Sequence, residues 1–370
     1  MGRLLALAFL LGLGGCTAAA PKFPPPTGET VTVFIHGYRG SFLVTDDARR
    51  KRVYLRPGDV LTAGKANLAL SYPGQRVSPT WPALAPDGPL TKLTLLPLLV
   101  SIDVYLGWME FGRDQLPGFI PFAYDWRQDV NASGRRFCDF LAGLKAQHVQ
   151  IVAHSMGGLV TWSCLTQNEA VARRVKKVVF AGTPFKGGPG IFDDLLLGTS
   201  TGLNRSLLSR EALFTFASSY QLLSARSDFF VDAAGAPVTL DAFSAQEWVT
   251  GRWGLFEGQS SAAELAQLQR LLDGHGALHA RLARPPLSMP EVLAVIGTGR
   301  ATVSGVRVTA EGFDFQHPPT ADGDDSVLAA SAVPPVPFTR FDTPTEHVAL
   351  LNDPAVQRAI AAFLNAPAQN

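Results

Sequence analysis

The sequence predicts an α/β fold, with a mostly parallel central sheet and helices on both faces. Three observations carry that prediction. Short apolar runs rich in β-branched residues recur at Glu29 to Ile35, Val149 to Val152, Val175 to Ala181 and Glu291 to Ile296, as expected of strands buried on both faces. Stretches of helical period separate them; in residues 131–147, Phe137, Phe140, Leu141 and Leu144 share one face. Finally, Val149-Gln150-Ile151-Val152-Ala153-His154-Ser155-Met156-Gly157-Gly158 reads as a strand, a sharp turn and the start of a helix that continues to Leu165.

With 370 residues, 46% hydrophobic and 17% charged, the chain can bury a large core, and disorder is not the default. A formal charge of +1 with no long basic run argues against a nucleic-acid partner and against purely electrostatic membrane binding. Mean hydropathy is +0.13, compatible with an apolar substrate and equally with an Ala- and Leu-rich composition.

Residues 1–15 read as a signal peptide, in which Arg3 supplies the positive charge and Leu4 to Leu13 an apolar segment too short to span a bilayer. Leu13-Gly14-Gly15-Cys16 resembles the lipobox of bacterial lipoproteins, which predicts lipidation at Cys16 and a membrane-anchored place in the cell envelope. An ordinary cleaved leader and a secreted product are the alternative. Residues 16–28, with Pro24-Pro25-Pro26, then form a tether, residues 29–189 and 291–370 the core, and residues 190–290 a helical insertion over the site. Cys138 and Cys164 fall in expected helices and are read as buried free thiols, although an envelope location permits a disulfide. Neither has metal-ligand spacing, so no metal or cofactor is assigned, and a monomer is expected.

The first expected strand ends in His36-Gly37-Tyr38-Arg39-Gly40-Ser41, a glycine-containing loop able to aim a backbone N–H at a ligand. Within residues 45–115, the apolar run from Leu93 to Trp108, interrupted by Pro97 and Asp103, is expected to be a buried helix pair, with a lipid-contact element as the alternative. Phe119 to Arg127 reads as a strand and a polar turn in which Asp125 and Arg127 pair or cap backbone. Gly182 to Gly190 has too many glycines and prolines for regular structure. In the insertion, Phe214, Phe216, Tyr220, Leu222, Leu223, Phe229 and Phe230 either line an acyl-binding surface or form a small core of their own. The sheet is expected to resume at Glu291 to Ile296 and at Thr302 to Val308. The acidic loop Asp322 to Val327 lacks the remaining ligands of a calcium-binding loop. Asp353 to Leu364 is a terminal helix with Val356, Ile360 and Phe363 on one face.

A serine hydroxyl is a poor nucleophile at neutral pH; a hydrolase must lift it off the sheet beside a base and next to N–H groups that hold an oxyanion. Ser155 sits in A-x-S-x-G where the common form is G-x-S-x-G, and the alternative is a helix start that Ser155 merely caps. Ser155, Asp324 and His347 follow the chain order of α/β-hydrolases, with the histidine in the loop before the last helix. That assigns Ser155 as nucleophile, His347 as base and Asp324 as the acid that orients it. Asp322 and Asp325 remain alternatives to Asp324, preferred because Asp-Asp-Ser-Val resembles an Asp-Gly-Thr-Val pattern. The oxyanion donors are the N–H groups of Tyr38 and Met156, and His36 orients the loop rather than acting as base.

Together with His36-Gly37, Gly40-Ser41, Pro121 to Arg127, Ala153 to Gly158, Gly182 to Phe185 with Gly187-Gly188, Ser219 to Leu223, Asp322 to Val327 and His347, the chain resembles the lecithin:cholesterol acyltransferase and lysosomal phospholipase A group of α/β-hydrolases. The resemblance implies cleavage of a lipid acyl ester through an acyl-serine, with transfer to water or an alcohol; a membrane or lipid surface, met through the lipid anchor and the helical lid, is the expected partner. Phe185, Tyr220 and Leu223 are the candidate substrate-binding residues. Ala153, Phe185-Lys186 and the segment 45–115 depart from the group's pattern and bear on headgroup and acceptor. A triacylglycerol lipase or short-chain esterase is the first rival reading, and a non-catalytic binding lipoprotein the second.

Overall fold

Six parallel strands form the central sheet of a computed structural model that describes Phe23 and residues 28–55, 64–74, 76–96, 100–201, 203–256 and 258–367. The strands are β1 (Thr30–Ile35), β2 (Ile120–Phe122), β3 (His148–His154), β4 (Val175–Ala181), β5 (Glu291–Gly297) and β6 (Thr339–Thr343). Their order across the sheet is β2-β1-β3-β4-β5-β6. The chain thus adds β2 on one side of β1 and then crosses to build everything else on the other. The switch falls between β1 and β3, and open α/β sheets bind ligands in the crevice beyond the strand ends at such a point. The loop at His36 and the turn at Ser155 both lie there.

Alternation along the strands divides the core. Val31, Val33, Ile35, Ile151, Ala153, Val178 and Phe180 face one layer, which includes α2 (Val130–Gly143) and α3 (Met156–Leu165). Phe34, Val152, Val179 and Val295 face the other, packed with Trp108 of α1 (Leu106–Gln115) and with Ile360 of the terminal helix Pro354–Asn365. Every residue of α3 is buried, because it is covered by the sheet on one side and by neighbouring helices on the other. Asp129 caps α2 by accepting from the Ala132 N–H, and Asp353 caps the terminal helix.

Between β4 and β5 the chain forms short helices at Ile191–Leu197, Arg210–Leu213, Ala217–Gln221 and Ala245–Thr250, then a long one at Ala262–Leu282. The long helix starts with a reciprocal capping box between Ser261 and Glu264. Phe192, Phe214, Trp248 and Trp253 of this segment pack edge to face with one another and with Phe313 beyond β5, so much of its aromatic content joins the core on that side of the sheet.

Four expectations change. Lys92–Leu96 and Val100–Asp103 pair as an antiparallel hairpin that leads into α1, where a buried helix pair was expected; Thr94, Val100 and Ile102 are β-branched and favour a strand. Thr302 to Val308 is no central strand, because Arg300–Val303 pairs with Thr320–Gly323 and Val306–Thr309 with Gly312–Asp314, both outside the sheet. The sixth strand, Thr339–Thr343, was not foreseen: it is an edge strand with a mostly exposed, polar sequence. Cys138 and Cys164 form a disulfide, not free thiols, across the α2–α3 interface with Cα atoms 5.3 Å apart. Gly134 lets the helices approach this closely, since a Cβ there would lie 2.7 Å from Ser163 Oγ. The expected signal peptide, Cys16 and, Phe23 and Gly28 apart, the tether lie outside the described residues.

Candidate active site

Ser155 follows β3 directly, with φ 54° and ψ −130°. A non-glycine residue at positive φ costs about 1–3 kcal/mol and persists only where its surroundings enforce it. Here the Ser155 N–H donates to Ala181 O at 2.8 Å, and Ser155 O accepts from the Gly158 N–H at 2.9 Å. Gly157 permits the turn: a Cβ on it would stand 2.5 Å from His36 O and push α3 off the end of β1. Ala153, in the place of the commoner glycine, is fully buried in register with Ile35 and Phe180, so the sheet accepts its methyl group.

His347, the first residue of a short 3-10 turn before the terminal helix, brings Nε2 to 2.9 Å from Ser155 Oγ. Its Nδ1 lies 2.7 Å from Asp324 Oδ2, and its N–H donates to Asp324 O at 2.9 Å. The structure therefore brings Ser155, His347 and Asp324 into one hydrogen-bonded line. Asp324 is fully buried, and its Oδ1 accepts from the N–H groups of Val327 and Ser326. Burial alone would raise its pKa. The electrostatic attraction of the adjacent His347 and the hydrogen bonds from His347, Val327 and Ser326 outweigh burial and hold the carboxyl below its usual range. Asp322 instead accepts from the Gly299 N–H, and Asp325 bonds Ser326 Oγ on the exposed side of the loop.

The loop after β1 is fixed by His36. The Tyr124 N–H donates to Nε2 at 3.2 Å, which leaves the ring proton on Nδ1 for Gly37 O at 2.8 Å, and the ring stacks on Tyr124 at 4.3 Å. Burial pushes the His36 pKa down to about 4, the backbone bond opposing it. His36 thus holds the loop as a neutral imidazole and does not reach Ser155 Oγ. A Cβ on Gly37 would lie 2.7 Å from Ser155 Cβ, so the loop passes in contact with the serine. The N–H groups of Tyr38 and Met156 make no hydrogen bond to another described residue. The Tyr38 side chain turns away, its hydroxyl 2.8 Å from Ser219 Oγ.

Of the three candidate substrate-binding residues, Tyr220 is fully buried with its hydroxyl donating to Phe214 O, and so belongs to the core of the helical segment. Phe185 packs on Trp162 and Phe180. Leu223 is buried, its backbone against Gly187. Sequence reasoning missed Tyr105, whose hydroxyl bridges the Gly37 N–H and His154 Nδ1, and gave His154 no role although it directly precedes the serine. Nothing in the sequence near Tyr105 marks it. Among the described residues, no three His, Cys, Asp or Glu side chains are placed to hold a metal ion, and no helix is long and apolar enough to cross a membrane.

A parallel sheet carrying a serine on a strained strand-to-helix turn, with histidine and aspartate following in that order, defines an α/β-hydrolase. Residues 108–247 match the sequence model of the lecithin:cholesterol acyltransferase family, which bears out the resemblance; the match includes Ser155 but ends before Asp324 and His347. The chain is 25% identical over 232 residues to an uncharacterised protein of Saccharomyces cerevisiae, covering 61% of this chain and 33% of that one, so it spans about a third of that relative's length. The solved structure of the Tle4–Tli4 complex shares the fold with a TM-score of 0.55 at 15% identity, over 91% of this chain and 98% of that chain. The Bacillus licheniformis lipase BlEst2 superposes less well, with a TM-score of 0.40 at 12% identity over 94% of this chain and 96% of that one.

Two outcomes are expected. Asparagine at position 324 lowers kcat by about 10⁴-fold, the loss seen when a triad acid stops holding its histidine, whereas Asp322→Asn and Asp325→Asn stay within about threefold of wild type. The second concerns acid stability. Because the folded-state pKa of His36 lies below its unfolded value of about 6.5, its contribution is complete above that pH and is lost as pH falls toward about 4, where the unfolded chain alone takes up the proton. Urea unfolding of His36→Gln between pH 7 and 4 therefore shows a shallower loss of stability than wild type.

Proposed function

We propose that this protein is a serine-dependent lipid acyl-ester hydrolase or O-acyltransferase that works through an acyl-Ser155 intermediate. One observation carries the reading: the line from Asp324 Oδ2 to His347 to Ser155 Oγ, at 2.7 and 2.9 Å, ends beside two N–H groups with no other partner among the described residues. Ser155 Oγ attacks the ester carbonyl while His347 Nε2 takes its proton. The Tyr38 and Met156 N–H groups hold the oxyanion, and Asp324 balances the charge on the imidazole. His347 then returns the proton to the leaving alkoxide as the acyl–oxygen bond breaks. Water or a second alcohol, deprotonated in turn by His347, releases the acyl group and restores Ser155.

The family match supports a lipid ester as substrate. Ser155 and His347 are each only 8% exposed, and the Tyr38–Ser219 and Arg39–Asp194 bonds join the loop after β1 to the helical segment above it. We read that segment as a lid that must be displaced for a long acyl chain to enter at a lipid surface. A buried disulfide suits an oxidising compartment, in keeping with the leader and the lipidated Cys16 read from the sequence, and hence with an envelope location.

Mass spectrometry of products from mixed phospholipids, triacylglycerols and short acyl esters, with and without an added long-chain alcohol, tests the reading. Acyl release or transfer from long-chain lipids is expected with wild type and not with Ser155→Ala. Turnover of short esters alone, or none, overturns it.

A further inference from the structure

A second buried line of polar groups runs behind the serine. The Gly37 N–H donates to the Tyr105 hydroxyl at 3.1 Å, that hydroxyl lies 2.7 Å from His154 Nδ1, and His154 Nε2 lies 3.0 Å from His347 O. The directions follow from the ends. A peptide N–H only donates and a carbonyl only accepts, so Tyr105 gives its proton to Nδ1 and His154 carries its own on Nε2. Every group is satisfied in that one arrangement. Burial, with the neighbouring His347 acting in the same sense, pushes the His154 pKa down to about 3, so the imidazole is neutral at ordinary pH.

We propose that Tyr105 and His154 are positioning residues for acyl transfer, tying the oxyanion loop to the main chain of the base through the residue that precedes the nucleophile. The proposal rests on the functional reading above. At one end, bonding the Gly37 N–H to Tyr105 turns that donor away from the serine, while the next N–H, that of Tyr38, has no partner among the described residues. At the other, the His347 backbone is held at both polar groups, its N–H by Asp324 O and its C=O by His154. The imidazole therefore hangs from a main chain anchored to the acid on one side and to the serine's neighbour on the other. Tyr105 is itself fixed: it is buried before α1 with its ring 5.0 Å from that of Phe34. A misplacement of about 1 Å costs roughly 10²-fold in rate, so an anchor of this kind acts on kcat more than on substrate binding.

Steady-state kinetics and melting temperatures of Tyr105→Phe, His154→Leu and His154→Gln test the proposal. Loss of the Tyr105 hydroxyl is expected to lower kcat by roughly 10²-fold with KM within about twofold. His154→Leu loses at least as much, and His154→Gln, whose amide N–H reaches toward His347 O, recovers most of it at a similar melting temperature. An unchanged kcat in Tyr105→Phe, or losses that track melting temperature with no recovery in His154→Gln, overturns the proposal. Should the leucine variant not fold, the other two decide. An inactive wild type removes the functional reading and this inference together, whereas an active wild type with indifferent variants removes this inference alone.

Discussion

The left-handed backbone at Ser155 is the constraint on which the rest of the site depends. Residue 155 adopts φ 54° because the chain must leave β3 and enter α3 with no intervening loop. That turn leaves the hydroxyl facing His347 and frees the first N–H of the helix. It is sustained by the bond to Ala181 O on one strand and by the absence of a side chain at Gly157 against the other. The parallel order of the sheet places both neighbours, so the strain at one residue is supported by β1, β3 and β4 together.

Around this turn the site is built from buried polar groups of fixed charge. His36 and His154 are held neutral by burial, and each completes its hydrogen bonds in one tautomer. Asp324 is kept ionised despite its burial by the histidine and the two backbone N–H groups it faces. In the proposed mechanism, the charge that develops at His347 during proton transfer thus meets one carboxylate and no competing cation from the other two imidazoles. Preorganisation of this kind is the largest single source of catalysis in many enzymes, because the groups need not reorient when the charge appears.

Much of this was legible in the sequence, for identifiable reasons. Strands buried on both faces leave continuous β-branched runs, and β1, β3, β4 and β5 were found on that basis. β6 was missed because an edge strand with polar residues carries no such mark. The order of Ser155, Asp324 and His347 identified three residues that the fold brings together from separations of 192 and 23 positions. The sequence pattern already favours Asp324 over Asp322 and Asp325, and the loop geometry separates them physically, since Asp324 is buried and the other two are exposed. The disulfide and the Tyr105 bridge escaped for a common reason. Both depend on how closely separate elements pack, and neither Cys138 nor Tyr105 has local sequence that reports its distance from Cys164 or His154.

The central claim is that Ser155 is activated by His347 beneath two backbone donors, and covalent labelling tests it most directly. After brief exposure to a fluorophosphonate, peptide mass spectrometry of wild type should locate a single adduct on Ser155, with labelling lost in Ser155→Ala and greatly slowed in His347→Ala. A wild type that remains unlabelled, or one modified at another serine with residue 155 untouched, would contradict the account.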